Sequence, residues 1–235
     1  MIFKNDNFII EYQEELKDFV DKSIKIFNSK IPEIKNVFQN LEKCQIGAHL
    51  FSNRQDFVNY IKKISNGEQP PEWAKGCFYN NEIQIYIDTT KTQEIANRKY
   101  TLTHEFIHLC IKHEIYNKFK LNRVLWLDES VAAILDGHLD SKTEKEWQNL
   151  AQKLEKTSSF DMNKIEDSNK IISQEYNGYN MFAIIGKYML DNNLIQTYLQ
   201  KMKSDIKDVG KVILSYAIQH CNNLNKKQKE NYEIY

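Results

Sequence analysis

The residues best suited to catalysis are concentrated in the segment 103–108, which contains the pattern H-E-x-x-H. Because residues four positions apart lie on one face of a helix, His104 and His108 can direct their imidazoles at the same metal ion. Zinc lowers the pKa of a bound water to about 7, so Glu105 can accept its proton and pass it to a leaving amine. The pattern predicts a catalytic zinc helix; the alternative is that both histidines are ordinary surface or core residues.

A catalytic zinc site also needs a third protein ligand and one open position. The metzincin spacing requires glycine at position 111 and histidine at position 114, and it is excluded because the chain has Ile111 and Glu114. His113 is one residue away from that pattern, and we interpret it as a surface residue. The better candidate is Glu129, in the segment W-L-D-E-S-V-A-A that begins at Trp126.

The two segments together resemble the gluzincin metallopeptidases of the peptidase MA superfamily. H-E-F-I-H followed by W-L-D-E-S-V-A is closest to the pattern of the aminopeptidase N family and its small bacterial relatives, whose second segment reads W-L-x-E-G-x-A. The resemblance implies one Zn2+ ion per chain, bound by His104, His108 and Glu129, with Glu105 as general base. Ser130 departs from the family, which has glycine beside the ligand.

The resemblance also implies a residue that stabilises the oxyanion, and zinc-bound histidines in general need a group that orients them. Family members use a tyrosine at the start of a later helix, which implies Tyr176 in the segment Y-N-G-Y-N-M-F; Tyr179 is the alternative, and a chain with 13 tyrosines can also place one here by chance. Asp128 and Asp136 can either accept a hydrogen bond from a ligand histidine or act as solvated or capping residues of the helix that holds Glu129.

The elements that position these residues begin as strands and end as helices, which indicates an α+β fold. In the half-buried strand over 82–88, Ile83, Ile85 and Ile87 alternate with more polar residues. The resemblance implies that this strand is the antiparallel edge strand above the zinc site, where a peptide can pair; the alternative is an ordinary structural strand, and the two roles are compatible. Further strands are predicted over 7–12 and 45–51, and helices over 13–30, 52–64, 93–113, 126–135, 143–156, 176–191, 194–203 and 207–221.

The resemblance implies a thermolysin-like gluzincin catalytic domain, with a small antiparallel-edged sheet followed by a mostly helical C-terminal half. We divide the chain into three parts. An α+β part over 1–140 holds both zinc segments, a helical part over 141–221 closes the cleft, and a polar tail follows over 222–235.

The composition narrows the classes of function. The 32 basic and 32 acidic residues cancel, so the chain lacks the basic excess typical of nucleic-acid-binding proteins. No apolar run approaches the roughly 18 residues of a membrane span. The first twenty residues lack the apolar core of a signal peptide, and this absence favours a cytoplasmic location. The four cysteines form no C-x-x-C pair and are predicted to be reduced and mostly buried.

These observations predict a zinc-dependent metallopeptidase that hydrolyses a peptide or protein substrate. Endopeptidase activity is favoured over aminopeptidase activity because the chain lacks the G-x-M-E-N segment with which the family holds a free amine. The alternative is a catalytically silent peptide- or protein-binding module on a gluzincin fold. A DNA-associated metalloprotease is disfavoured by the charge balance and by a glutamate as third ligand.

Overall fold

The computed structural model describes residues 1–70, 72, 74–79, 82–156, 178–201 and 209–224. The chain divides into two compact units, Met1–Cys110 and Ile111–Tyr235, whereas the predicted parts meet at residue 140. In the described residues, the first unit contains a five-stranded sheet with helices, and the second contains helices. The α+β prediction is therefore confirmed.

The sheet is mixed, with parallel strands in the centre and an antiparallel strand at each edge. Its order is β1-β2-β3-β5-β4, in which β2 pairs parallel to β3 and β3 pairs parallel to β5, while β1 and β4 run antiparallel to their neighbours. The predicted antiparallel-edged sheet is therefore confirmed. The strands are β1 Ile2–Lys4, β2 Phe8–Tyr12, β3 Ile46–Phe51, β4 Gly76–Tyr79 and β5 Glu82–Tyr86.

The strand predicted over 82–88 is not the edge strand, and this part of the prediction is wrong. Strand β5 pairs with β3 on one side and with β4 on the other, so its backbone groups are already used within the sheet. Ile83, Gln84 and Ile85 are all buried, which a half-exposed edge strand would not allow. The edge on this side is β4. The pair Asn80-Asn81 also predicts a tight turn before β5, and both residues lie outside the described ones.

Two helices cover opposite faces of the sheet in the first unit. Helix α1, Lys17–Val37, places Phe27 edge-on to Phe8 of β2, with ring centroids 4.6 Å apart. Helix α2, Arg54–Ile64, packs Phe57, with its neighbours on the same face, against the other side of the sheet. Successive side chains of a strand point to opposite faces, so the strands contribute Phe8 to the contact with α1, and Phe51 and Tyr86 to the contact with α2.

Helix α1 continues past Pro32 to Val37, whereas the helix predicted from the sequence ends at residue 30, before this proline. A proline inside a helix removes one backbone hydrogen bond and crowds the preceding turn, at a cost of about 3 kcal/mol. Ile34, two residues beyond Pro32, is fully buried, as are several apolar residues earlier on the same helix. Burial of this final turn offsets the local cost, so tertiary packing decides where the helix ends.

The remaining helices follow the sheet. The first unit contains α3 Thr92–Arg98 and most of α4 Thr101–Ile111, where one helix over 93–113 is predicted. A π-helical segment, Lys112–Asn117, continues α4 into the second unit. The further helices are α5 Leu125–Leu135, α6 Glu144–Glu155, α7 Gly178–Asp191, α8 Ile195–Lys201 and α9 Val209–Asn222. Within the described residues, no helix has both the length and the apolar character needed to cross a membrane.

Candidate metal centre

Helix α4 positions the two histidines because its other side is fixed in the core of the first unit. Phe106 is fully buried, and its ring lies 4.9 Å from that of Phe27 and 5.7 Å from that of Phe8. With Phe106 on the core side, His104 and His108 are half-buried, and their ring centroids are 4.7 Å apart at an interplanar angle of 85°. The predicted common face of the two imidazoles is therefore present.

Helix α5 positions Glu129 by a similar arrangement in the second unit. Trp126 and Val131 are fully buried, so the rotation of the helix about its axis is determined by the core. The backbone N–H of Val124, just before the helix, donates to the hydroxyl of Tyr116 at 3.0 Å in a buried hydrogen bond. Gly137, with φ of 90°, follows the last turn and ends the helix where the sequence predicts.

The structure brings together the three predicted metal ligands. His104, His108 and Glu129 each offer one ligand atom, these atoms all lie within 4.8 Å of one another, and all three residues are half-buried. Two imidazole nitrogens and one carboxylate oxygen are the donor set of catalytic zinc sites with an open fourth position. Ligand atoms at about 2.1 Å from zinc lie roughly 3.4 Å apart in a tetrahedron, so the donor types and their proximity are compatible with zinc and with other divalent ions.

Arg123 binds the third ligand from the loop that precedes helix α5. Its Nη2 donates to Oε1 of Glu129 at 2.7 Å, and its Nε donates to Oδ2 of Asp128. The side chain of Asp128 is only 3% exposed and that of Glu129 is 15% exposed, whereas that of Arg123 is 49% exposed. Burial tends to lower the pKa of the Arg123 guanidinium, but the charges of Asp128 and Glu129 outweigh this effect and raise it.

Three residues that shape this site are not predicted from the sequence: Arg123, Tyr116 and Gly186. Arg123 carried a usable signal, because a cation shortly before two adjacent acids at a helix start can pair with both. Tyr116 has no such signal in the sequence, since its contact with Val124 depends on the position of the π-helical segment that contains it. Gly186 of α7 allows close approach to α5: a Cβ added there would lie 2.5 Å from the carbonyl oxygen of Ser130.

The structure describes three of the four other predicted site residues. Glu105 is half-buried on α4, directly after His104. Tyr176 lies outside the described residues, so its role stays a prediction. Tyr179, the alternative, is 58% exposed at the start of α7, with its ring 6.3 Å from that of Phe182. Asp136, which directly follows α5, accepts a hydrogen bond at 2.7 Å from the backbone N–H of His138, as in an Asx turn.

Another histidine, His49 on the sheet, has acidic neighbours, but they are arranged differently from the donors of the metal group. His49 of β3 directs Nδ1 to Glu11 at 3.3 Å and Nε2 to Glu82 at 3.1 Å. The two ring nitrogens of an imidazole point in different directions, so these carboxylates do not share one ligand position with the ring. Among the described residues, His104, His108 and Glu129 are the one group of three or more donors close enough for a common ion.

Comparison with known proteins found no relative of this chain. No family model, curated protein or solved structure matches the chain. The chemistry of the His104–His108–Glu129 group must therefore be inferred from its donor atoms and their surroundings.

Proposed function

We propose that this chain is a zinc-dependent metallopeptidase of the gluzincin type that hydrolyses peptide bonds, with endopeptidase activity favoured over aminopeptidase activity. The observation that carries the proposal is the convergence of His104, His108 and Glu129, with ligand atoms within 4.8 Å of one another. These residues belong to the two segments that resemble gluzincins in the sequence. Zn2+ bound there would supply a Lewis acid that polarises the substrate carbonyl and activates water.

The protein's own residues have separate roles in this proposal. His104, His108 and Glu129 hold the ion, and Arg123 holds one oxygen of Glu129 through a charged hydrogen bond at 2.7 Å. Glu105, adjacent to His104 on α4, takes the proton from the attacking water and delivers it to the leaving amine. Tyr176 is proposed to stabilise the oxyanion.

Metal content tests the site first. The full chain is compared with Glu129→Ala and His108→Ala, and His113→Ala serves as the control because His113 is exposed on the following π-helical segment. We expect about one zinc per chain in the wild type and in His113→Ala, and much less in the other two variants. A wild type that takes up no zinc when it is supplied would reject the proposal, and zinc retained by Glu129→Ala would show that Glu129 is not the third ligand.

Peptide cleavage then tests the reaction. A peptide library is incubated with the zinc-loaded wild type and with Glu105→Gln, which preserves the shape of the side chain but removes its basic oxygen. Loss of a general base costs roughly 10²- to 10⁴-fold in rate, so we expect cleavage by the wild type alone. Peptide binding without turnover by the zinc-loaded wild type would instead favour the catalytically silent binding module.

A further inference from the structure

Arg123 uses one edge of its guanidinium to contact the two acids at the start of α5. Its Nε donates to Oδ2 of Asp128, and its Nη2 donates to Oε1 of Glu129 at 2.7 Å. The guanidinium is planar and carries five N–H donors, and Nε and Nη2 share one edge of the plane. The two contacts therefore anchor the group beside Glu129 and fix the orientation of its plane.

The outer edge of the guanidinium, which consists of Nη1 and the second N–H of Nη2, has donors to spare. Among the described residues, the hydrogen bonds of Arg123 are made by Nε and Nη2, and Nη1 makes none. The side chain of Arg123 is 49% exposed, whereas those of Asp128 and Glu129 are 3% and 15% exposed. An anchored and half-exposed guanidinium with unused donors can bind a further acceptor.

These unused donors belong to a group that touches a candidate metal ligand. Nη2 lies 2.7 Å from Oε1 of Glu129, and the ligand atoms of Glu129, His104 and His108 lie within 4.8 Å of one another. In peptide hydrolysis, negative charge develops on the carbonyl oxygen when water adds to the carbonyl carbon. A permanent cation with parallel N–H donors, held in place before the reaction, is suited to stabilise that charge.

We propose that Arg123 is a catalytic residue whose outer edge donates to the carbonyl oxygen of the cleaved bond and stabilises the oxyanion. This role rests on the proposed peptidase function and gives the oxyanion a donor besides Tyr176. Water adds its oxygen to the carbonyl carbon, its proton passes to Glu105, and the π electrons move to the oxygen that Arg123 binds. They return when the C–N bond breaks, and the amine leaves with that electron pair and the proton from Glu105.

An analogue of the tetrahedral intermediate separates this role from the orientation of Glu129. The probes are the peptide that the library shows to be cleaved fastest and its phosphinic analogue, in which a charged PO2–CH2 group replaces the scissile amide. Binding is measured at saturating zinc with the zinc content of each variant verified, and the peptide is measured in the full-length Glu105→Gln chain. We expect Arg123→Gln to weaken binding of the analogue about 100-fold and binding of the peptide less than about threefold.

Rates provide a second readout. In Arg123→Gln at saturating zinc, kcat should fall about 100-fold while KM changes little. Arg123→Lys keeps the charge without the paired donors and should be intermediate; it replaces Arg123→Gln if that variant fails to fold or to retain zinc. Arg123→Ala should regain part of its kcat with added ethylguanidinium and less with ethylammonium. Lys118→Gln, which lowers the net charge equally, should retain the wild-type kcat.

The outcomes distinguish this role from the proposed function. Equal weakening of analogue and peptide would overturn the role of Arg123, because the residue would then bind substrate and transition state alike. An unchanged kcat at full zinc occupancy would also overturn it and leave Arg123 with the orientation of Glu129 alone. In both cases the wild type still cleaves peptides, so the peptidase function stands. A wild type that takes up no zinc or cleaves no peptide would reject the function and this role together.

Discussion

Arg123 holds one oxygen of the Glu129 carboxylate, the residue that we propose as the third metal ligand. One cation contacts two adjacent acids here, through Nη2 to Glu129 and through Nε to the buried Asp128. The fork of the guanidinium lets it contact both carboxylates at once, which a lysine ammonium cannot do with the same geometry. In the proposed metal site, Arg123 would therefore orient Glu129.

Replacement of Arg123 by glutamine should therefore weaken zinc binding. Residues that orient metal ligands typically contribute about 10- to 100-fold in affinity, and we expect a loss of that order, with Arg123→Lys intermediate. Zinc affinity by competition with a chelator is the measurement, and Lys118→Gln is the charge control from the preceding segment. Tighter zinc binding in Arg123→Gln would contradict the prediction, because it would mean that repulsion between two cations outweighs the orientation of Glu129.

At the scale of elements, the close contact of α5 and α7 depends on one residue without a side chain. A Cβ at Gly186 would lie 2.5 Å from the carbonyl oxygen of Ser130 and 2.9 Å from Cβ of Ile134. The first of these contacts involves backbone, which cannot move aside as a flexible side chain would. The two helices must therefore separate if position 186 carries a larger residue, and α5 is the helix that carries Glu129.

We expect Gly186→Ala to lower the free energy of unfolding by about 1–3 kcal/mol, the usual cost of overpacking. The higher helix propensity of alanine acts in the opposite direction by about 1 kcal/mol, so the net loss will be at the low end of that range. Urea unfolding measures it, with Leu190→Ala on the exposed side of α7 as the control. Unchanged or increased stability would show that α7 and α5 have room to separate.

The start of α5 depends on a hydrogen bond from another segment. The hydroxyl of Tyr116 accepts from the backbone N–H of Val124 in a buried position, 3.0 Å away. Tyr116→Phe leaves that N–H buried without its acceptor, and we expect a loss of about 1–3 kcal/mol in the free energy of unfolding. Tyr216→Phe, which alters a residue that is largely exposed on α9, should change stability little. Equal stability of the two variants would indicate that water replaces the lost hydroxyl.

At the scale of the whole molecule, a metal that binds the folded chain must stabilise it. Zinc at about 100 times its dissociation constant adds roughly 2.7 kcal/mol if the unfolded chain does not bind it. We expect zinc to raise the unfolding midpoint of the wild type and of His113→Ala, and a chelator to reverse the effect. His108→Ala should show a much smaller shift. An equal shift in His108→Ala would mean that zinc binds elsewhere.

Local pattern was sufficient to indicate most of the candidate site. Spacing of four residues places His104 and His108 on one helix face wherever the helix is packed, and the resemblance of its segment to the gluzincins indicated Glu129. The alternation of isoleucines predicted β5 as a strand, and Gly137 ended α5 because its positive φ suits glycine. These features depend on neighbours along the chain, so the sequence determined them.

Only the tertiary structure decided the features that depend on partners distant along the chain. The place of β5 inside the sheet follows from its pairing with β3 and β4, which period-two alternation does not encode. The continuation of α1 past Pro32 follows from burial of Ile34, and the fit of α7 onto α5 follows from the space at Gly186. The amino-acid types specified which chemistry is available, and packing decided which of those residues meet.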